Sequence, residues 1–228
     1  MATINQLVSE IAHSVQQADS VPVRRAIRLA IIHARNELIR KGFNNHHYTD
    51  KVLQQRFRVE LIDVPDGDLA GSSSLGLNTI KRTKSKVPRP TRLDNNTPFH
   101  SVRTAGVQNP IEVPFVKEAS SKFYKHLPGM CPSVTYDYIN GYVYINTTEP
   151  SVVSALGCII IESVFEYPHL IATETESGVL DINTIDDDYE FLLPEDMVGD
   201  IKKLVLETFN PNIVRQTNEI PTPNLVRS

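Results

Sequence analysis

The chain is 228 residues long, with 23 Lys and Arg, 27 Asp and Glu, 2 Cys and no Trp, and a formal charge of −4. No run approaches the roughly 18–20 apolar residues of a membrane helix, the first residues lack the basic and apolar regions of a signal peptide, and the length fits one domain with or without a tail. The small net charge hides a split: residues 1–126 hold 19 basic and 11 acidic residues (+8), and residues 127–228 hold 4 and 16 (−12). Such asymmetry points to a polyanion partner, or to one copy's front meeting another copy's back.

Along the chain, Ile4, Leu7, Val8, Ile11, Ala12 and Val15 recur at helical spacing and predict a first amphipathic helix. Asp19-Ser20-Val21-Pro22 breaks it, and Pro22 suits the first turn of the next helix. That second helix is expected to run to about Lys41, with Val23, Ile27, Ala30, Ile31, Ala34, Leu38 and Ile39 on its apolar side and Gly42 as its stop. Arg24, Arg25, Arg28, Arg35 and Arg40 fall away from most of that stripe, whereas His33 reads as a packing residue. Two short-linked helices with one apolar face each imply an antiparallel hairpin. A short third helix is expected from Thr49 or Asp50, and His46-His47 reads as a polar loop.

Phe57, Val59 and Leu61 alternate with Arg58, Glu60 and Ile62, the period of a half-buried strand. Residues 65–78 read as a surface loop, and residues 79–87 as extended chain stopped by Pro88 and Pro90. Residues 88–114 show no period and read as an extended crossing, and residues 117–126 as a short helix. Asn140-Gly141 between two alternating aromatic-rich runs is the preferred signal of a type I′ hairpin. An apolar strand beginning at Cys158 is expected to pair with that hairpin, and residues 168–173 to form one helical turn. A final helix over residues 194–209 carries Met197, Val198, Ile201, Leu204 and Val205, with Glu195 and Asp196 in its first turn, where the helix dipole favours anions. The proline-interrupted end reads as an extended arm over residues 210–228.

Four groups of residues bear on function. Lys81, Arg82, Lys84, Lys86, Arg89 and Arg92 stand in twelve residues without an acid, a row able to track phosphates or to defend an edge strand. No aromatic platform for base stacking interleaves them. Residues 181–200 hold eight acids and no Lys or Arg. Asp181-x-Asn183 begins like a calcium loop, but the sixth position lacks Gly and Leu192 stands where the bidentate Glu belongs, so the segment reads as a charged surface. Arg24, Arg25 and Arg28, or alternatively the row from Lys81 to Lys86, are candidates to meet Asp186, Asp187, Asp188 and Glu190 of a neighbouring subunit. Ile213, Val214, Ile220 and Leu225 space the arm with aliphatic anchors for a second protein.

Cys131 and Cys158 lack CxxC spacing and read as free thiols of a reducing cytoplasm. None of the common nucleophile, phosphate-loop or metalloprotease patterns occurs, so no residue is assigned to catalysis, a metal or a cofactor.

Several segments in order resemble one family. These are residues 25–35 (Arg-Ala-Ile-Arg-Leu-Ala-Ile-Ile-His-Ala-Arg), residues 82–88, Asn140-Gly141-Tyr142-Val143-Tyr144-Ile145, residues 159–168, residues 187–197 and residues 201–206. The chain resembles the head-to-tail adaptor or ring proteins of tailed bacteriophages, in particular those of short-tailed crAss-like phages. Two departures are Tyr167-Pro168, where an acid is expected before the proline, and Leu192-Leu193-Pro194, where two prolines are more usual.

The resemblance implies a structural role. It implies a homo-oligomeric ring, twelve copies, in the virion connector beneath the portal protein. The ring would extend the DNA channel and offer a platform to other neck or tail proteins, after synthesis in the host cytoplasm. Lys81, Arg82, Lys84 and Lys86 then become candidates for passing contact with DNA. Rival readings are another neck-ring or tail-tube station, or a non-specific nucleic-acid-binding module. The expected fold is a single α+β domain over residues 1–209, followed by the arm. It comprises a helical layer (1–56) joined by the final helix (194–209) into a small bundle, and a small, mainly antiparallel sheet within residues 57–170.

Overall fold

The computed structural model describes residues 3–47, 49–65, 68, 79–93, 97–105, 110–116, 134–147, 156–172 and 191–209. The chain divides into two compact units, residues 1–45 with 187–228 and residues 46–186. Helices make up the first and an antiparallel sheet dominates the second, so the fold is mixed α and β.

In the helical unit, α1 spans Ile4–Ser14 and buries the predicted face Ile4, Leu7, Val8, Ile11 and Ala12. Its start is fixed by a capping box. The Thr3 hydroxyl accepts from the Gln6 amide at 3.2 Å, and the Gln6 side chain accepts from the Thr3 amide at 3.1 Å. Two amide protons that the first turn leaves over are thereby satisfied. Gln16 turns the chain at φ 59, and α2 follows from Val21 to His46.

Helix α2 differs from its sequence reading in three respects. It continues through Gly42 rather than stopping there, and ends where His47 takes φ 51, so its 26 residues reach about 39 Å at 1.5 Å per residue. His46 is accordingly the last helical residue, not part of a loop. His33 is exposed rather than packed. Third, Arg35 is fully buried, not solvent-facing. Its Nε donates to the Leu192 carbonyl at 3.4 Å, Nη1 donates to Asn36 at 3.3 Å, and the guanidinium lies 5.7 Å from the centre of the Phe191 ring. The segment before the last helix roofs this position, and an arginine's planar head can stack on an aromatic face while still donating.

The last helix, designated α4, spans Glu195–Phe209 and buries Ile201 and Val205, with Met197, Val198 and Leu204 half-buried. Lys202 forms an ion pair with Glu10 of α1.

In the sheet unit, a 3-10 turn (Lys51–Leu53), capped by Asp50, leads into β1 (Gln55–Asp63). Strands β2 (Thr79–Thr83), β3 (Ser101–Ala105), β4 (Val134–Ile139), β5 (Tyr142–Thr147) and β6 (Cys158–Ser163) follow, then a single turn, α3 (His169–Ala172). The order across the sheet is β3-β6-β1-β2-β5-β4, and every neighbouring pair is antiparallel.

Two expectations are corrected here. Strand β3 lies in the stretch read as a periodless crossing: its five residues are too few and too mixed to announce a strand. Strand β6 pairs with β1 and β3, not with the β4–β5 hairpin, because β2 occupies the hairpin's free side. The hairpin itself forms as expected, with Asn140 at φ 54 and Gly141 at φ 86. The helix expected over residues 117–126 lies outside the described residues.

The alternation of β1 sets the inside of the sheet. Phe57, Val59 and Leu61 are buried while Arg56, Arg58 and Glu60 are exposed. Phe57 faces Ile161 and Val59 faces Ile159, and on the other side of β6 Val102 faces Ile161. With Phe99, Tyr136, Val143, Ile145 and Phe165 these side chains form one apolar core. Aromatic rings meet edge to face within it, Phe57 with Phe165 at 5.4 Å and Phe99 with Tyr138 at 5.0 Å. Burial pushes the Tyr136 hydroxyl well above the usual phenol range.

Both edge strands of the sheet carry further backbone bonds. Residues 111–113 run against β3: the Thr104 amide donates to the Ile111 carbonyl at 3.0 Å, and Val113 donates to Val102 at 2.8 Å. Residues 114–116 then run along β4, where Tyr136 donates to Pro114 at 3.0 Å and Val116 donates to Tyr136 at 3.1 Å. One short segment thus joins both edge strands and curls the sheet onto itself.

The same substitution at two glycines tests this account. Gly141 needs its positive φ, so Gly141→Ala is expected to cost about 1 kcal/mol or more. Gly199 lies within α4, and a Cβ there would meet nothing within 4 Å among the described residues. Gly199→Ala is therefore expected to stabilise by about 0.5–1 kcal/mol. Urea unfolding of the two variants checks the opposite signs.

Candidate assembly surfaces

Basic side chains expected to act together are placed in different settings. Lys81 Nζ donates to the Leu156 carbonyl at 2.7 Å. Arg82 Nη1 lies 2.7 Å from Asp68 Oδ2, and the two side chains are only 18% and 11% exposed. The Tyr144 hydroxyl donates to the same carboxylate, 3.0 and 3.1 Å from its two oxygens, and the Arg82 guanidinium sits 4.5 Å from the centre of the Tyr142 ring. Burial, then the bond to Asp68, raises the Tyr144 hydroxyl above the usual phenol range. Asp68 lies between β1 and β2 in the chain, and this cluster ties it to β2 and β5.

Lys84 is different. It pairs with Glu60 at 2.8 Å, but about half of each side chain is exposed. The hydrogen bond from Lys84 and its positive charge hold the Glu60 carboxyl below the usual carboxylate range. Lys86 is exposed, its ammonium 6.0 Å from the Tyr142 ring centre. The row therefore divides. Lys81 and Arg82 are used within the sheet unit, and Lys84 and Lys86 present charge outward.

The arginines of α2 divide in the same way. Arg24 is committed internally: Nη2 donates to Ser9 of α1 at 2.9 Å and Nη1 to the Ala18 carbonyl at 3.3 Å. Arg28 is half-buried, and Arg25 is exposed without an ion pair or hydrogen bond among the described residues. Asp186, Asp187, Asp188 and Glu190 lie outside the described residues, as do the arm residues Ile213, Val214, Ile220 and Leu225.

Sequence reasoning missed the exposed apolar side chains: Val21 is 59% exposed, Leu29 54% and Ile111 63%. Leu29 could have been found, because it lies between the buried positions Ile27 and Ile31 and so cannot share their face of the helix.

No convergent site of titratable groups emerges among the described residues, and what is distinctive is surface. The family profile described as phage tail ring protein 2 matches residues 6–224. The chain belongs to that family. No curated protein matches it. The match bears out the resemblance to crAss-like phage ring proteins and spans nearly all of both units. A tail ring protein is a structural part of the virion that works by assembling with other tail proteins. Among the described residues, no helix is long and apolar enough to cross a membrane.

Burial separates two ion pairs of nearly equal length in this ring protein. Arg82→Ala would leave Asp68 half-satisfied in a mostly buried setting and is expected to cost about 2 kcal/mol. Lys84→Ala removes an exposed pair and is expected to leave the unfolding midpoint unchanged. Chemical denaturation of both variants makes the comparison.

Proposed function

We propose that the protein forms a ring of twelve copies in the head-to-tail connector, below the portal, where it extends the DNA channel and gives later tail components a platform. Membership of the tail ring family over residues 6–224 carries this reading. The partition of charge supports it. In a head-to-tail ring each copy presents two unlike surfaces, so a basic patch can face an acidic one at every junction. Opposite charge steers and orients such encounters, and buried apolar groups hold them.

Two further elements belong to the same reading. The arm, through Ile213, Val214, Ile220 and Leu225, docks on the portal or on a neighbouring ring. Lys84 and Lys86 are the members of the basic row suited to transient contact with passing DNA, since they keep their charge at the surface. A channel must let DNA slide, so their contacts are weak and independent of sequence.

Native mass measurement, with and without the portal protein, tests the proposal. A complex of about twelve copies that also binds the portal is expected. Truncation after Asn210 should preserve the ring and abolish portal binding. A ring that ignores the portal would move the protein to another neck or tail-tube station. A monomer that binds DNA with steep salt dependence would replace the ring by a nucleic-acid-binding module.

A further inference from the structure

The outward side of α2 combines features that the fold itself does not use. Val21 and Leu29 are more than half exposed, at 59% and 54%, and Arg25 stands one turn from each. Positions four apart lie on one side of a helix, so Val21, Arg25 and Leu29 form a continuous ridge. Exposed large aliphatics flanking an uncommitted arginine have the make-up of an interface rather than of a solvated face.

A complementary surface exists on the same helical unit. From residue 127 to residue 201 the chain has 14 acids and no Lys or Arg. Within the described part of that stretch, Glu195, Asp196 and Asp200 are exposed on the first turns of α4 and form no ion pair among the described residues. Gly199 stands among them, also exposed, with open space where a Cβ would be. A glycine inside a helix sacrifices stability, and nothing within the described chain requires it here. A bare backbone patch is what lets a bulky side chain from outside approach a helix closely.

We infer that the ridge Val21, Arg25 and Leu29 of one copy docks on the exposed start of α4 in a second copy. Leu29 sits over Gly199, and Arg25 is held by Asp196 and Asp200. This inference rests on the ring reading and deepens it by naming the two faces that meet. The contact is heterologous, since α2 meets α4 rather than α2, as a ring requires. It also places the acidic partner at α4 rather than at residues 186–190.

Charge exchange in the full-length chain tests the pairing. Arg25→Glu should weaken assembly, raising the concentration at which rings dissociate by roughly tenfold or more. The double variant Asp196→Arg/Asp200→Arg should do the same, and the triple variant should return close to the wild type. All three positions are exposed, and circular dichroism verifies that each variant is folded. Wild-type dissociation in both charge-reversed variants, or additive loss in the triple variant, would overturn the pairing while leaving the ring intact. A wild-type chain that stays monomeric at every concentration would remove the ring reading itself, and this inference with it.

Discussion

Closure of the sheet is the constraint on which the rest depends. An open edge presents unpaired amides and carbonyls that any passing strand can extend. In a tail ring protein, which works by assembling, such edges would compete with the intended contacts. Residues 111–116 remove the problem by bonding first to β3 and then to β4. With both edges partly occupied, less backbone pairing is offered at the sheet's sides, and side-chain surfaces, where charge and shape can discriminate, gain weight in association. Closure also fits the single core: residues of β1, β3, β4, β5 and β6 meet in one interior that contains Phe57, Val102, Ile145, Ile159, Ile161 and, beyond β6, Phe165.

Charge is handled in two ways. Some basic residues are consumed in folding. Arg35 is buried beneath Phe191 and Leu192, Arg24 ties α2 to α1, and Arg82 anchors Asp68 to the sheet. Others stay at the surface, among them Arg25, Lys84 and Lys86. Composition cannot separate these groups, because an arginine's ability to serve either purpose lies in the same five donors. The positive balance of the first 126 residues therefore overstates the charge available to a partner.

This limit defines what could be read before the fold was known. Local signals were legible. The spacing of Ile4, Leu7, Val8, Ile11 and Ala12 names the buried face of α1, the β1 alternation names its buried face, Asn140-Gly141 makes the hairpin turn, and Ile201 and Val205 mark the inner face of α4. Each depends on neighbours within a few residues. Most of the failures depended on distant partners. β3 acquires strand character from β6 and from residues 111–113, and β6 is paired by β1 and β3 rather than by the adjacent hairpin. Arg35 is buried by residues more than 150 positions away. Gly42 failed as a helix stop because a glycine ends a helix only where the backbone turns left-handed, and here His47 makes that turn. Of the candidate surfaces, the basic row was legible as a row, but its division into half-buried and exposed members was not.

The same division bears on how a ring of this kind can be specific without being sticky. A subunit whose surface carried all its arginines free would attract any polyanion, including the genome that threads a tail. Committing Arg24, Arg35 and Arg82 internally lowers that general attraction. What remains outward differs in its surroundings. A lone Arg25 between two aliphatics has little to offer a phosphate backbone, where affinity scales with the number of charges neutralised together. Against a protein surface the balance reverses, since one well-placed charge sets orientation and the flanking apolar area supplies the free energy. A single charge set between exposed aliphatics, as at Arg25, thus favours a protein surface over nucleic acid, and screening at physiological salt, over about 8 Å, sharpens that preference by weakening distant attraction more than contact.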